Sequence, residues 1–281
     1  MIHTHRNRLY ALLTAFAAGL TLLSCSVKEN RRDCPTWLTL DVSRCESRAE
    51  VLSVRAFTPQ AKLFSDTLRV AHYIDSLVFE KEIPREEVIL TYWNGLYHNA
   101  RWSGDILRVP AGMQVDSLYA GRDHLYMAPD QDEYKAFAHL EKQFMTLTIR
   151  FGDSGGLETI TSFSCDYNAF SIKDFAPVKG NYSVMPEALG AGEYKVRIPR
   201  QGDDCSIQLS FSIQQSSYKD GYRLTLSEAL RALSYDWNDP ELKDATLTIA
   251  SSSFVVQVQD WDNVYIGEVV YGGRYEDLIK E

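Results

Sequence analysis

The run Leu22-Leu23-Ser24-Cys25 sets a small residue directly before a cysteine thiol at the end of an apolar stretch. A thiol so placed suits thioether formation with a diacylglycerol, followed by cleavage of the Ser24–Cys25 bond and acylation of the new amino terminus. The apolar stretch 9–23 holds 15 residues, short of the roughly 20 that span a bilayer. His3, His5, Arg6 and Arg8 give it the cationic head of an export signal. Each buried CH₂ of an acyl chain contributes about 0.8 kcal/mol, so about three chains on Cys25 would anchor the protein permanently. These residues predict a lipoprotein signal peptide at 1–24, lipid on Cys25, and a mature chain on the outer side of a bacterial cytoplasmic membrane.

Catalytic chemistry has weaker footing. His72, His98, His124 and His139 show no metal-ligand spacing, and none lies near a strand–turn serine. The string Gly152-Asp153-Ser154-Gly155-Gly156 matches the serine context of trypsin-like proteases, but the upstream His and Asp contexts are missing. It follows an alternating run at 144–151, so it reads as a hairpin closure. Asp130-Gln131-Asp132-Glu133 continues into Tyr134-Lys135-Ala136, where a calcium loop would need more oxygen ligands, and reads as a solvated acidic loop. The pair Asp203-Asp204 carries no hydrolytic signature by itself. Cys34, Cys45, Cys165 and Cys205 contain no CxxC, which makes a zinc site improbable. Cys34 and Cys45 flank an extended run at 36–42 that would hold them too far apart to bond; disulfides and free thiols both remain open for the four. No enzyme, metal or cofactor is expected.

Tyr92, Trp93, Tyr97 and Trp102 form the one aromatic concentration suited to stacking on sugar rings. Trp93 and Trp102 are therefore candidate ligand contacts. The competing reading gives one of Tyr92 and Trp93 to the core and Trp102 to an interdomain seam.

The elements that must position these groups are strands. Apolar and polar residues alternate at 36–42, 52–57, 88–93, 106–109, 144–151, 194–198, 206–213, 246–250 and 254–261, between clusters of Gly, Pro, Asn and Asp. One helix is expected at 225–233, with Thr225 or Ser227 as cap and Glu228 in its first turn. Residues 134–142 have helical composition and are read as an interdomain connection or as the start of the next strand. The fold class is all-β, two tandem antiparallel β-sandwich domains after the signal peptide. A tether at 25–35 leads into an N-terminal domain at 36–142, a C-terminal domain at 143–262 and a tail at 263–281. Periodicity does not separate immunoglobulin-like from transthyretin-like strand orders. A net charge of −9, made more negative by loss of the signal's arginines, argues against nucleic acid as a partner.

Two stretches resemble a known family. Cys25-Ser26-Val27-Lys28-Glu29 followed by Asp33-Cys34-Pro35-Thr36-Trp37-Leu38-Thr39-Leu40-Asp41, and the late run Phe254-Val255-Val256-Gln257-Val258-Gln259-Asp260-Trp261, are similar to FimB-like fimbrial anchor lipoproteins of Bacteroidetes. The resemblance implies two transthyretin-like sandwiches and a non-enzymatic accessory subunit of a surface fimbrium. It would be held in the outer membrane by Cys25 and bound to stalk subunits by strand complementation or edge contacts. Polymerising relatives lose an amino-terminal segment after an arginine; a cut at Arg44, Arg48 or Arg55 would release the lipid here, so an anchor must escape it. Lys28-Glu29 partly matches a surface-export signal, implying an outer-membrane protein that faces outward. The tail run Tyr265-Ile266-Gly267-Glu268-Val269-Val270-Tyr271 is either an extra strand of its own domain or a strand for a neighbouring subunit. Alternative functions are a glycan-binding lipoprotein of a nutrient-uptake system, using Trp93 or Trp102, and a stalk or tip fimbrillin.

Overall fold

Leu38 and Leu40 are fully buried while Trp37, one residue before Leu38, is 50% exposed and Thr39 between them is half-buried, the division expected of a strand with one face on a core. The computed structural model describes residues 34–45, 49–70, 78–94, 98–126, 128, 131–152, 157–214, 219–250, 253–259 and 265–272. Ser24, Cys25, most of the tether, Arg48, His72, Tyr97, Asp130, residues 153–156 of the glycine-rich turn and most of the tail lie outside them.

The first part of the chain forms β1 (Thr36–Asp41), β2 (Val51–Phe57), β3 (Lys62–Arg69), β4 (Val78–Ile83), β5 (Glu87–Asn94), β6 (Arg101–Ser103), β7 (Ile106–Arg108), β8 (Tyr119–Tyr126), β9 (Glu133–Phe137) and β10 (Glu141–Lys142). A three-stranded sheet in the order β4-β1-β9 faces a five-stranded sheet in the order β10-β8-β5-β2-β3. Leu38, Leu40, Leu52, Val54, Val88, Leu90 and Leu125 from the two sheets meet in one core. Burying each such side chain contributes roughly 1.5–3 kcal/mol.

The second part forms β11 (Phe144–Phe151), β12 (Leu157–Ser171), β13 (Ala176–Val184), β14 (Glu187–Gly190), β15 (Glu193–Pro199), β16 (Ile207–Gln214), β17 (Lys219–Thr225), α1 (Leu226–Ala232), β18 (Asp244–Ala250), β19 (Ser253–Gln259) and β20 (Tyr265–Gly272). One sheet runs β14-β15-β11-β18-β19-β20, the other β17-β16-β12-β7-β6 with β13 also on β12. The helix starts after Thr225 with Glu228 in its first turn, as the sequence predicts.

The two sandwiches repeat one plan. In each, the first strand lies between an antiparallel and a parallel neighbour: β1 between β4 and β9, β11 between β15 and β18. The opposing sheets also correspond, β3-β2-β5-β8 with β13-β12-β16-β17. Among the described strands the β1–β9 and β11–β18 pairs run parallel and the other ladders antiparallel, with one isolated parallel bridge between Lys142 and Glu241. One of the two pairs accounts for residues 134–142, whose helical composition is overridden: β9 satisfies the open edge of β1 and buries Ala136, and tertiary pairing outweighs propensity. β20 continues the second sheet beyond β19.

Residues 100–120 come before position 142 yet serve the second sandwich. Ile106–Arg108 pairs with β12, and Ala100, Leu107, Val109, Val115 and Leu118 pack in the second core. The segment is fixed locally: Asp116 accepts the backbone N–H groups of Asn99 and Ala100, and Asn94 both donates to the carbonyl of Ser117 (2.6 Å) and accepts from the N–H of Tyr119 (2.8 Å).

Tyr92 shows how tightly the first sandwich closes. Its hydroxyl donates to Asp123 Oδ2 (3.2 Å) and accepts the N–H of His139 (3.1 Å), while its ring covers Gly121. A Cβ at Gly121 would stand 2.1 Å from the carbonyl of His139 and 2.3 Å from the ring, so only glycine fits. Burial holds the Asp123 carboxyl above its usual range despite the Tyr92 hydrogen bond. The folded chain therefore binds that proton more tightly than the unfolded chain, and this contribution to stability is lost as pH rises through the raised value. Asp123→Asn is expected to flatten the decline: its urea midpoint should change less between about pH 4 and pH 7 than the parent's.

Candidate functional site

Alternation along β5 sends neighbouring aromatics in opposite directions. Tyr92 enters the first core and Trp93 the second, because successive strand side chains point to opposite faces. Trp93 is 2% exposed and Trp102, on β6, is 39% exposed. Their rings lie 5.4 Å apart at 56°. Arg55 of β2 completes the group, its guanidinium 5.2 Å from the Trp93 ring and 4.6 Å from the Trp102 ring. Arg55 also pairs with Asp105 at 3.1 Å and donates to Ser65 at 3.2 Å. Such cation–π contacts contribute about 0.5–1 kcal/mol when exposed and about 2 when desolvated. The structure thus brings the two sequence-read tryptophans together, across a seam in which β2 and β5 meet the β6–β7 hairpin. Trp102 presents surface to solvent; Trp93 presents almost none.

Nothing in the sequence marks Arg55 as the third member, because it lies far upstream and its spacing to the tryptophans follows no motif. The same holds for the joint between β10 and β11. Arg200, 7% exposed, donates to Gln143 Oε1 (2.6 Å), to the carbonyls of Lys142 (3.0 Å) and Asp239 (2.9 Å), and to that of Trp237. Gln143 in turn donates its N–H to the carbonyl of Leu118 (2.9 Å) and accepts that of Arg200 (3.0 Å). Burial lowers the pKa of Arg200 and raises that of nearby Glu141.

Three of the cysteines sit in unreactive surroundings. Cys34, Cys45, Cys165 and Cys205 are free thiols, with Cys34 exposed. Burial pushes Cys45 and Cys205 up to about 11 and also raises Cys165 well above the usual thiol range, so these three are protonated at neutral pH and poor nucleophiles. Among the described residues no three His, Cys, Asp or Glu side chains are grouped to hold a metal ion. Asp132 of the acidic run pairs with Arg85 at 2.8 Å, and Arg85 also donates to the carbonyls of Cys34 (3.0 Å) and Gln131. This contact fixes the point at which the chain leaves the tether and enters β1.

Backbone edges make up the other candidate surface. Among the described residues the sheets have edges at β4 and β9, at β10 and β3, at β14 and β20, and at β17, β6 and β13. All four residues of β14 are exposed, and Phe137 of β9, Met185 and Leu189 are large apolar side chains in contact with solvent. Exposed edges offer unpaired N–H and C=O groups to another strand.

No protein-family model matches the chain, and no curated protein matches it. Solved structures do. A candidate adhesin from Bacteroides ovatus aligns with a TM-score of 0.60 at 11% identity, over 81% of this chain and 94% of that one. The fimbrial anchor protein Mfa2 from Porphyromonas gingivalis aligns at 0.57 and 12% identity, over 85% and 98%. A candidate polysaccharide-binding protein from Bacteroides thetaiotaomicron aligns at 0.56 and 11%, over 83% and 100%. The chain therefore has the all-β sandwich fold of these proteins along nearly their whole length.

Replacing Arg200 leaves several buried carbonyls without donors, each a loss of about 1–3 kcal/mol when unrelieved. Arg200→Leu is expected to destabilise the protein by about 3 kcal/mol, read from the urea unfolding midpoint.

Proposed function

We propose that this protein is a cell-surface lipoprotein, acylated on Cys25, that serves as the anchor or accessory subunit of a fimbrium and holds the stalk base in the outer membrane. The observation that carries this is the alignment with the fimbrial anchor Mfa2 over 98% of that chain, joined to the lipobox at Ser24–Cys25. In this reading 1–24 is removed and 25–35 is the tether. Domains at 36–142 and 143–262 carry the sandwiches, with 100–120 lent to the second, and stalk subunits dock on exposed strand edges. Retention of β1 is part of the proposal. Cleavage after Arg44 would remove the central strand of its sheet together with buried Leu38 and Leu40, and Arg55 is tied into the tryptophan seam. A glycan-uptake role through Trp93 and Trp102 has less support, because Trp93 lies in the core.

The test is Cys25→Ala in the native host. The variant should lose its lipid label, leave the membrane fraction and shed fimbriae into the medium. Membrane retention with fimbriae still attached would contradict the proposal.

A further inference from the structure

The chain carries a net charge of −9, yet one groove is lined by four cations. It lies where β8 and β10 meet the outer face of β11, β15 and β18, and measures about 490 Å³. Lys195 and Arg197 stand two residues apart on β15 and so share a face; Lys142 and Lys243 complete the set.

The single lining carboxylate is already engaged. Asp244 Oδ1 accepts from Lys142 Nζ at 2.7 Å and from the N–H of Thr146 at 2.6 Å. Lys243 has Asp239 at 3.6 Å. Glu187 stands opposite Lys195 in the β14–β15 register, but among the described residues no ion pair joins them. Arg197 gives one N–H to the carbonyl of Val115 at 3.3 Å, and the rest of its fork remains for other acceptors. Positive charge on Lys195 and Arg197 is thus left over in a concave site, where low-dielectric walls concentrate the field.

Hydroxyls lie beside these cations. Thr148 pairs in register with Lys195 on one side and with Thr246 on the other, and Ser117 and Tyr119 form the facing wall. Each hydroxyl both donates and accepts. That combination suits a molecule with anionic groups and many hydroxyls of its own, and the volume far exceeds a single small anion.

We propose that this groove binds an acidic oligosaccharide, with uronate carboxylates on Lys195 and Arg197 and ring hydroxyls on Thr148 and Thr246. The inference does not depend on the fimbrial role.

Calorimetric titration of the full-length protein in detergent, with tetragalacturonate and its fully methyl-esterified counterpart, tests it. The acid should bind saturably and the ester at least about tenfold more weakly, the difference shrinking at high salt. Lys195→Gln combined with Arg197→Gln should abolish binding while the protein stays folded, its thermal midpoint falling by no more than about 5 °C for the lost Val115 contact. Thr148→Val, which keeps every charge, should weaken the saccharide about fivefold or more while leaving inorganic phosphate unaffected. Absence of tetragalacturonate binding, or equal binding of the ester, would overturn the proposal. So would inorganic phosphate matching the tetramer with no response to Thr148→Val, which would mark a plain anion site. Loss of a co-purifying protein in the Lys195→Gln variant without saccharide binding would assign the groove to a protein interface instead.

Discussion

A guanidinium held away from water must find acceptors inside the protein, and the joint between the two sandwiches is built around satisfying Arg200. Its donors reach oxygens on Lys142, Gln143, Trp237 and Asp239. Residues on both sides of the β10–β11 turn and in the loop after α1 are thereby locked to the end of β15. Gln143 extends the lock to Leu118, and β10 pairs with the start of β8. The connection is a fixed corner, so side chains from both sandwiches can share one surface. Lys142, Tyr119 and Phe144 meet there, with Lys142 Nζ 5.0 Å from the Phe144 ring and the Tyr119 and Phe144 rings 5.5 Å apart edge to face.

A second contact between the two sandwiches supports the first. The β6–β7 hairpin leaves the first sandwich, joins the second sheet through β12, and returns Trp102 and Asp105 to Arg55. Lending an element in this way makes a segment of the first sandwich's chain part of the second sandwich's core. It also explains why the aromatic concentration forms where it does: Trp93 closes the outer face of the β2–β5 pair, and Trp102 with Arg55 covers Trp93. For a protein proposed to transmit load from a fibre to a membrane, a stiff joint and a tethered entry at Arg85 and Cys34 suit the task.

Where alternation was regular, the sequence was readable. β1, β5, β11 and β19 sit where period two places them, and Thr225 with Glu228 marks the helix. β12 is not legible from alternation because register shifts between Ile160 and Ser162 and around Tyr167 break its period, so each bulge moves later side chains to the opposite face. β9 is not legible as a strand because Ala136, Lys135 and Glu133 favour a helix locally while the open edge of β1 decides the outcome. The tryptophans were legible as a pair, but not their partner Arg55, which approaches through a neighbouring strand. The cationic groove had no local signature, since its residues come from four separated segments that meet only after folding.

The most direct measurement is the intact mass of the protein purified from its native outer membrane, taken with the identities of the proteins that accompany it. An anchor gives a mass beginning at acylated Cys25, with β1 retained and fimbrial stalk subunits in the same complex. A lipid-free chain beginning after Arg44 or Arg55, incorporated along the fibre, would contradict the anchor role.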